Sequence, residues 1–255
     1  MKHQPNLTKS FDNNQTPRKG CIDMWNAFMV DDARFALGSD IPFCPCTARS
    51  APHQLVSFVD AKHLHKCTVR KDPNYHINAF VHFYIDDQKF DGPRNGIWAK
   101  PYEALELLRH FSGVITPDFS TNADFPDSIK RYNTYRMRAF GFWLTIHEIP
   151  VINNVRWGTE ETWDYCFDGI PCNSIVSIGT VASGIHKLEN RPDFEIGLFR
   201  MVEVLQPHTI IVYGSANYEC FEQLANRGVH IIAFPSDTSL AYKNKKGGPS
   251  NVETE

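Results

Sequence analysis

Short apolar runs and amphipathic stretches alternate along the chain from residue 79 onwards. The runs are rich in β-branched and aromatic residues and predict strands, whereas the stretches between them repeat apolar residues at helical spacing and predict helices. The predicted strands are AFVHFYI (79–85), GVITP (113–117), PVINNVR (150–156), SIVSIG (174–179), HTIIVYG (208–214) and VHIIAF (229–234). The predicted helices cover 100–111, 127–148, 160–168, 194–205 and 218–228.

This alternation predicts an α/β fold with a mainly parallel sheet. Strands that alternate with helices need crossover connections, and crossovers give parallel pairing with helices packed on the sheet. A TIM-barrel-like sheet, complete or incomplete, is favoured, and an open doubly wound sheet is the alternative. LVSFV (55–59) is a candidate for a further strand, and 29–46 is predicted to be irregular or an edge hairpin.

Length and composition indicate one folded domain. The chain has 255 residues, of which 42% are hydrophobic and 22% charged, a usage typical of globular proteins. Residues 1–20 and 243–255 are polar and lack an apolar period, so they are predicted to be a disordered arm and a disordered tail. Between them, 21–242 is predicted to be a single α/β domain.

Charge and apolar patterning restrict the partners and the compartment. The formal net charge is -3, so there is no overall positive field for non-specific binding to nucleic acid. No stretch approaches the roughly 18 apolar residues that span a bilayer, and the N-terminus lacks the apolar core of a signal peptide. The sequence therefore predicts a cytoplasmic protein without a membrane partner, and its seven cysteines are predicted to be reduced thiols.

Polar residues follow the predicted strands, at the edge where parallel α/β proteins bind ligands. They are Asp86, Asp87, Asp118, Ser120, Arg156, Trp157, Thr180, Tyr213, Ser215, Ser236 and Asp237. A carboxylate at this rim can act as a general base or orient a substrate amine, and Arg156 can clamp a carboxylate or phosphate. The structural alternative is that Asp and Ser serve there as N-caps and turn formers.

Three arginines lie close together in the helix predicted at 127–148. A helical period points Arg131, Arg136 and Arg138 in different directions, which favours a solvated face over a basic patch. Arg136 differs because it falls on the same stripe as the apolar residues of that helix. An inward arginine needs a partner, and Asp118 is the candidate; the pair then serves either to fix register or to build a site.

Five soft metal ligands occur within a short span: Cys44, Cys46, His63, His65 and Cys67. Residues two apart on an extended chain point to one side, so these residues form a candidate zinc site. The spacing matches no standard zinc motif, and Pro45 indicates a turn, so buried thiols and surface imidazoles are favoured and no cofactor is predicted.

The sequence lacks the short motifs that identify common enzyme classes. There is no G-x-x-x-x-G-K-[ST], no G-x-G-x-x-G after a strand, no H-E-x-x-H and no G-x-S-x-G. Trp157 is a candidate for stacking on a base or sugar, although packing is favoured.

An ordered series of motifs resembles a family of phage, prophage and plasmid proteins catalogued as a domain of unknown function, DUF4417. The series is AFVHFYIDD, GVITPDFS, YNTYRMRAFGFW, IPVINNVRWG, FDGIPCNSIVSIGT, VEVLQPHTIIVYGS and VHIIAFPS, within roughly 28–236. The resemblance implies a bacterial or mobile-element origin, with a bacterial host cell as the compartment in the second case, and it implies no activity. It marks as motif positions Asp86, Asp118, Asn133, Arg136, Arg156, Trp157, Gly158 and Tyr213. After SIVSIGT this chain has VASGIHK, where the family pattern has a small glycine-containing turn, and the Cys/His group lies outside the pattern.

The leading hypothesis is an enzyme that acts on a small anionic or nucleotide-like ligand at the rim. Asp118 would be the acid/base or orienting carboxylate, Asp86 its companion, and Arg156 and Arg136 the anion clamp. Further ligand contacts would come from Asn133, Trp157, Thr180 and Tyr213. The alternatives are a non-catalytic phage-type protein that engages a host protein or sequesters a nucleotide, and a nucleic-acid-processing protein whose affinity falls steeply with salt.

Overall fold

Seven parallel strands form one curled sheet in a computed structural model that describes residues 7–10, 23 and 25–240. A separate antiparallel pair joins β1 (Leu7–Ser10) to β2 (Arg34–Ala36). The large sheet contains β3 (Leu55–Ser57), β4 (Ile77–His82), β5 (Phe111–Ile115), β6 (Val151–Asn154), β7 (Ile175–Gly179), β8 (Thr209–Tyr213) and β9 (His230–Phe234). The α-helices are α1 (Phe58–Thr68), α2 (Pro101–Leu108), α3 (Asp127–Ile146), α4 (Arg191–Leu205) and α5 (Glu219–Asn226). Short 3₁₀ helices lie at Ala27–Val30, Asp87–Lys89 and Glu160–Asp164.

The strand order β3-β4-β5-β6-β7-β8-β9 follows the chain without a reversal. A doubly wound sheet reverses its strand order at a switch point, whereas a sheet that keeps winding one way curls toward a barrel. The predicted α/β class and the incomplete TIM-barrel-like sheet are therefore confirmed. Within the described residues the sheet stops at β3 and β9, which leaves a half-barrel.

The two faces of the sheet bury different sets of side chains. Alternation along β4 sends Val81 outward into the core under the helices and sends Phe80 and His82 inward. The inner apolar cluster contains Phe80, Ile115, Ile152, Ile175 and Ile211, with Cys46, Ala48 and Ala51 of one loop packed against it. Among the residues that the structure describes, this inner cluster consists of strand and loop residues without a helical one.

All six strands predicted from residue 79 onwards occur. The candidate strand at 55–59 is a strand only over Leu55–Ser57, because α1 begins at Phe58. The helix α1 was not predicted, and the interpretation of 63–67 as extended chain is wrong. Ser57 caps α1 by accepting a hydrogen bond from the backbone N–H of Asp60 at 3.2 Å. Only Phe58 and Ala61 of this helix are buried, so its apolar stripe is too short to give a visible period.

Leu7–Ser10, within the predicted N-terminal arm, form β1; the rest of that arm and the predicted tail at 243–255 lie outside the described residues. In the part of the chain that the structure describes, every helix falls short of the length or the apolar character needed to span a bilayer. The six described cysteines are free thiols.

Arg138 is a fully buried cation of α3. Its Nη1 donates to the carbonyl of Asn154 at 3.0 Å, Nη2 to that of Cys166 at 3.2 Å and Nε to that of Asp168 at 3.3 Å. Burial lowers the pKa of Arg138 to about 10. Because this value is still well above 7, the side chain is charged at neutral pH. The solvated face predicted for the three arginines is therefore wrong for Arg138, because backbone carbonyls that no sequence pattern reveals supply its partners.

Replacing Arg138 by Met should destabilise the protein by about 3 kcal/mol or more, since three carbonyls lose a charged donor inside the core. Urea denaturation measures the change. Arg131→Met on the same helix is the control, because that side chain is 40% exposed, and its effect should stay near 1 kcal/mol or below. Equal effects of the two substitutions would contradict the structural role of Arg138.

Candidate functional site

A directed chain of hydrogen bonds runs across the inner face at the carboxyl ends of β4 to β7. Asn154 Nδ2 donates to Asp118 Oδ1 at 2.8 Å, and Tyr84 Oη donates to Asn154 Oδ1 at 3.0 Å. Ser177 Oγ lies 2.7 Å from Tyr84 Oη. A phenol has one proton, which Tyr84 gives to Asn154, so Ser177 is the donor to Tyr84. Every donor in the chain thus points toward the carboxylate of Asp118.

The hydrogen-bond chain ends at the rim in an ion pair between Asp118 and Arg156. Arg156 Nη1 lies 2.7 Å from Asp118 Oδ2, and Arg156 Nη2 donates to Asn122 Oδ1 at 3.2 Å. Burial acts to lower the pKa of Arg156, but the carboxylates of Asp118 and Asp87 raise it above its ordinary value. The side chains of Arg156 and Asp118 remain 21% and 16% exposed, so the pair is accessible from solvent.

Alternation along the strands places these groups on one face. Asn154 and Arg156 are two residues apart and both point inward, as do His82 and Tyr84. Gly179 on β7 leaves room for the ring of Tyr84, because a Cβ there would lie 2.9 Å from Tyr84 Cδ1. A larger residue at 179 would displace the ring that feeds the hydrogen-bond chain.

Three aromatic side chains, Tyr84 of this hydrogen-bond chain together with Tyr213 and His82, pack against one another. The rings of Tyr84 and Tyr213 stack at 5.0 Å, and His82 lies 4.4 Å from Tyr213. His82 Nδ1 accepts the backbone N–H of Tyr84 at 3.2 Å, and burial lowers the pKa of His82 to about 4. Burial and the charge of Asp118 raise the pKa of Tyr84 well above its ordinary value. Neutral His82 and protonated Tyr84 are therefore the forms present at pH 7.

Arg136 on α3 is largely buried, with 11% of its side chain exposed, but its partner is Asp91 and not the predicted Asp118. Arg136 Nη1 contacts both carboxylate oxygens of Asp91, at 2.9 and 2.7 Å, and Nη2 donates to Asn133 Oδ1 at 2.6 Å. The guanidinium also lies over the ring of Phe119 at 4.0 Å. Asp91 follows the 3₁₀ helix Asp87–Lys89 by two residues and pairs with Arg136 of α3, while Asp118 is held by Arg156.

The two predicted carboxylate positions after β4 have different roles. Asp86 is exposed and pairs with Lys89 at 2.9 Å. Asp87 accepts from the backbone N–H and the hydroxyl of Ser120 at 3.0 and 2.9 Å, and Asn133 Nδ2 donates to the Ser120 carbonyl. Asp87 was not among the site residues predicted from the sequence. Through Ser120 and Asn133 it connects to Arg136, so it links Arg136 to the loop that carries Asp118.

Other predicted site residues lie near the rim with structural contacts of their own. Trp157 packs against Gly197 of α4 and lies 5.2 Å from the ring of Phe194. Thr180 Oγ1 donates to the carbonyl of Ser215 at 3.0 Å. Tyr213 Oη accepts the backbone N–H of Asp237 at 3.2 Å.

Comparison with known proteins assigns the chain to a family. The family model described as domain of unknown function (DUF4417) matches residues 36–235. The chain belongs to the DUF4417 family. Relatives include the Gene 1 protein of Mycobacterium phage L5, which is 31% identical over 138 residues, covering 54% of this chain and 58% of that protein. The Gene 1 protein of Mycobacterium phage D29 is 31% identical over 138 residues, covering 54% and 49%.

The aligned region thus spans about half the length of these curated phage relatives. No solved structure matches the chain. The resemblance of the ordered motifs to DUF4417 is confirmed, and the strand ends that carry Asp118 and Arg156 lie inside the matched range.

The residues of the candidate zinc site, which lie within the range matched by the family model, do not come together in one place. Cys44 is buried beside Gly141 of α3, and burial raises its pKa to about 12. His63 and Cys67 lie on α1 and contact each other, and His65 Nδ1 lies 2.9 Å from the hydroxyl of Tyr75. Within the described ranges, no group of three or more His, Cys, Asp or Glu side chains is arranged to hold a metal ion.

Two cavities of this DUF4417 protein lie at the opposite, amino end of the strands. One of about 570 Å³ is lined by residues that include Arg109 and His147, and one of about 380 Å³ by residues that include Arg49 and Phe80. Neither is lined by Asp118 or Arg156. The rim is therefore the candidate site because polar side chains converge there, and not because of an enclosed volume.

Double-mutant cycles test the partner of Arg136. Arg136→Met and Asp91→Asn should couple by about 1–3 kcal/mol in the free energy of unfolding, because each removes the other's contact. Arg136→Met and Asp118→Asn should couple by less than about 0.5 kcal/mol. The reverse pattern would restore Asp118 as the partner.

The buried imidazole of His82 predicts a pH dependence of stability. Between pH 6.5 and about 4 the unfolded chain takes up a proton that folded His82 refuses, so its contribution to stability is lost as pH falls through this window. The loss amounts to about 3 kcal/mol. Urea unfolding at a series of pH values should show a shallower pH dependence for His82→Gln than for the natural chain. Identical slopes would disprove the assignment.

Proposed function

We propose that the rim binds a small, nucleotide-like polar ligand and that Asp118 is its acid/base or orienting carboxylate. The supporting observation is that Asp118 and Arg156 have hydrogen-bond acceptor and donor sites that the protein does not use. Asp118 accepts two hydrogen bonds from the protein, and Arg156 donates two through Nη1 and Nη2. A carboxylate has about four acceptor sites and a guanidinium five N–H donors. An accessible acceptor beside an accessible donor matches the edge of a nucleobase or amide.

The sequence predicted that Arg156 and Arg136 clamp an anion, but both guanidinium groups are already paired with carboxylates. Arg136 is held by Asp91 and Arg156 by Asp118, so a free phosphate would have to compete with a carboxylate at either guanidinium. A ligand that uses the spare donors and acceptors displaces nothing. The proposed ligand is therefore recognised mainly through a neutral donor–acceptor edge, and a phosphate on it would be a secondary contact.

The same geometry supports a chemical role for Asp118. Its two hydrogen bonds fix the orientation of the carboxylate, and its exposed fraction leaves it open to an N–H or O–H of a bound molecule. Protonated Tyr84 and Ser177 stabilise Asn154, which in turn holds Asp118 in place. Asp86 lies apart from this group, paired with Lys89, so Asp87 is the better companion because its charge acts on Arg156.

Thermal unfolding with a panel of nucleobases, nucleosides, nucleoside monophosphates and inorganic phosphate tests the proposal. A bound compound at 100 times its Kd stabilises by about 2.7 kcal/mol, which raises the Tm by roughly 5–10 °C for a domain of this size. At least one nucleoside or nucleotide should stabilise the protein, and inorganic phosphate alone should not. Asp118→Asn should remove the effect.

Glu203→Gln is the matched control, since Glu203 also forms a 2.7 Å ion pair with an arginine, but on the surface of α4. Stabilisation that survives Asp118→Asn, or that phosphate alone reproduces, would contradict a site at this pair. Conversion of the stabilising compound, followed by NMR, separates the enzyme from the non-catalytic alternative: turnover lost in Asp118→Asn identifies an enzyme, and binding without turnover identifies a sequestering protein.

A further inference from the structure

Two soft side chains lie side by side on the solvent face of α1. His63 and Cys67 are four residues apart, and both are exposed. His63 Nε2 lies 3.7 Å from Cys67 Sγ. Neither belongs to the rim, and the proposed function makes no use of them.

This separation matches the spacing of two ligands on one metal ion. Zinc binds imidazole nitrogen at about 2.0 Å and thiolate sulfur at about 2.3 Å with tetrahedral angles. Those values place the two ligand atoms about 3.5 Å apart. The pair in α1 needs a shift of only a few tenths of an ångström to reach that spacing, which side-chain torsions supply.

We propose that His63 and Cys67 form a two-residue site for a soft divalent transition-metal cation of the Zn²⁺ class. The Cys67 thiol releases its proton to the solvent when the sulfur–metal bond forms, and Nε2 of neutral His63 donates its lone pair. Two water molecules complete the tetrahedron. Thiolate and imidazole select such a cation over Mg²⁺ or Ca²⁺, which prefer oxygen ligands.

The surroundings leave these two residues free to bind together. The helix fixes them on one face, since residues four apart are neighbours along its surface. His65 faces away, toward Tyr75 and His110, so it takes no part. The ammonium of Lys62 is held by the carbonyl of Lys89 at 3.0 Å, which draws that charge toward the rim.

Titration of the reduced full-length chain with Co²⁺ tests the site, because thiolate ligation gives a sulfur-to-cobalt charge-transfer absorption that oxygen or nitrogen ligands do not give. The natural chain should show this band and saturate at one cobalt per chain, and excess Zn²⁺ should abolish it. Cys67→Ser should remove the band, and His63→Asn should weaken binding at least tenfold. Binding should also weaken as pH falls, because protons compete for the ligands.

The controls are Cys172→Ser, whose thiol contacts the carbonyl of Val204, and His53→Asn on an exposed loop position. Both should titrate like the natural chain. Because His63 and Cys67 are exposed, their variants should keep the natural circular dichroism. Absence of the band in the natural chain, its persistence in Cys67→Ser, or its loss in Cys172→Ser would each overturn the proposal.

Discussion

The hydrogen bonds of Asn154 connect the helical layer to the concave face, and the rim depends on them. Its backbone N–H donates to Thr116 Oγ1 at 2.8 Å, and its carbonyl accepts from buried Arg138 at 3.0 Å. Its side chain accepts from Tyr84 and donates to Asp118. A residue that is 1% exposed has every polar group satisfied, as burial requires. Arg138 on α3 thereby positions the carboxylate on the opposite face of the sheet.

The order of the strands explains why this network can form. Because β4 to β7 are neighbours in sequence order and all run parallel, their carboxyl ends present inward side chains in adjacent positions. The interior changes character along the strands, from the apolar layer that contains Ile152 and Ile175 to the polar layer that contains Asn154 and Ser177. On each of these two strands the apolar residue of the core and the polar residue of the candidate site are therefore only two positions apart.

Sequence patterning predicted the strands, the parallel sheet and the positions of Asp118 and Arg156, because these depend on local period and on the general location of α/β sites. It did not find Asn154 or Tyr84. Both lie inside predicted apolar strands, and the alternation of side chains along those strands was not used to identify which ones face the concave side near the rim. The predicted partner of Arg136 was wrong because its partner, Asp91, lies 45 residues earlier in the chain, and such a long-range contact has no local signature in the sequence. Helix α1 was missed because it buries so little.

We propose that a small ligand binds at the rim formed by Asp118 and Arg156. Amide hydrogen exchange, measured with and without the nucleoside or nucleotide that most raises the Tm, locates the binding directly, without any substitution. Binding at the rim predicts slower exchange in residues 118–122 and 156–158 and no change around Arg109 and His147 at the opposite end of the sheet. Protection confined to that opposite end, with the rim unchanged, would contradict it.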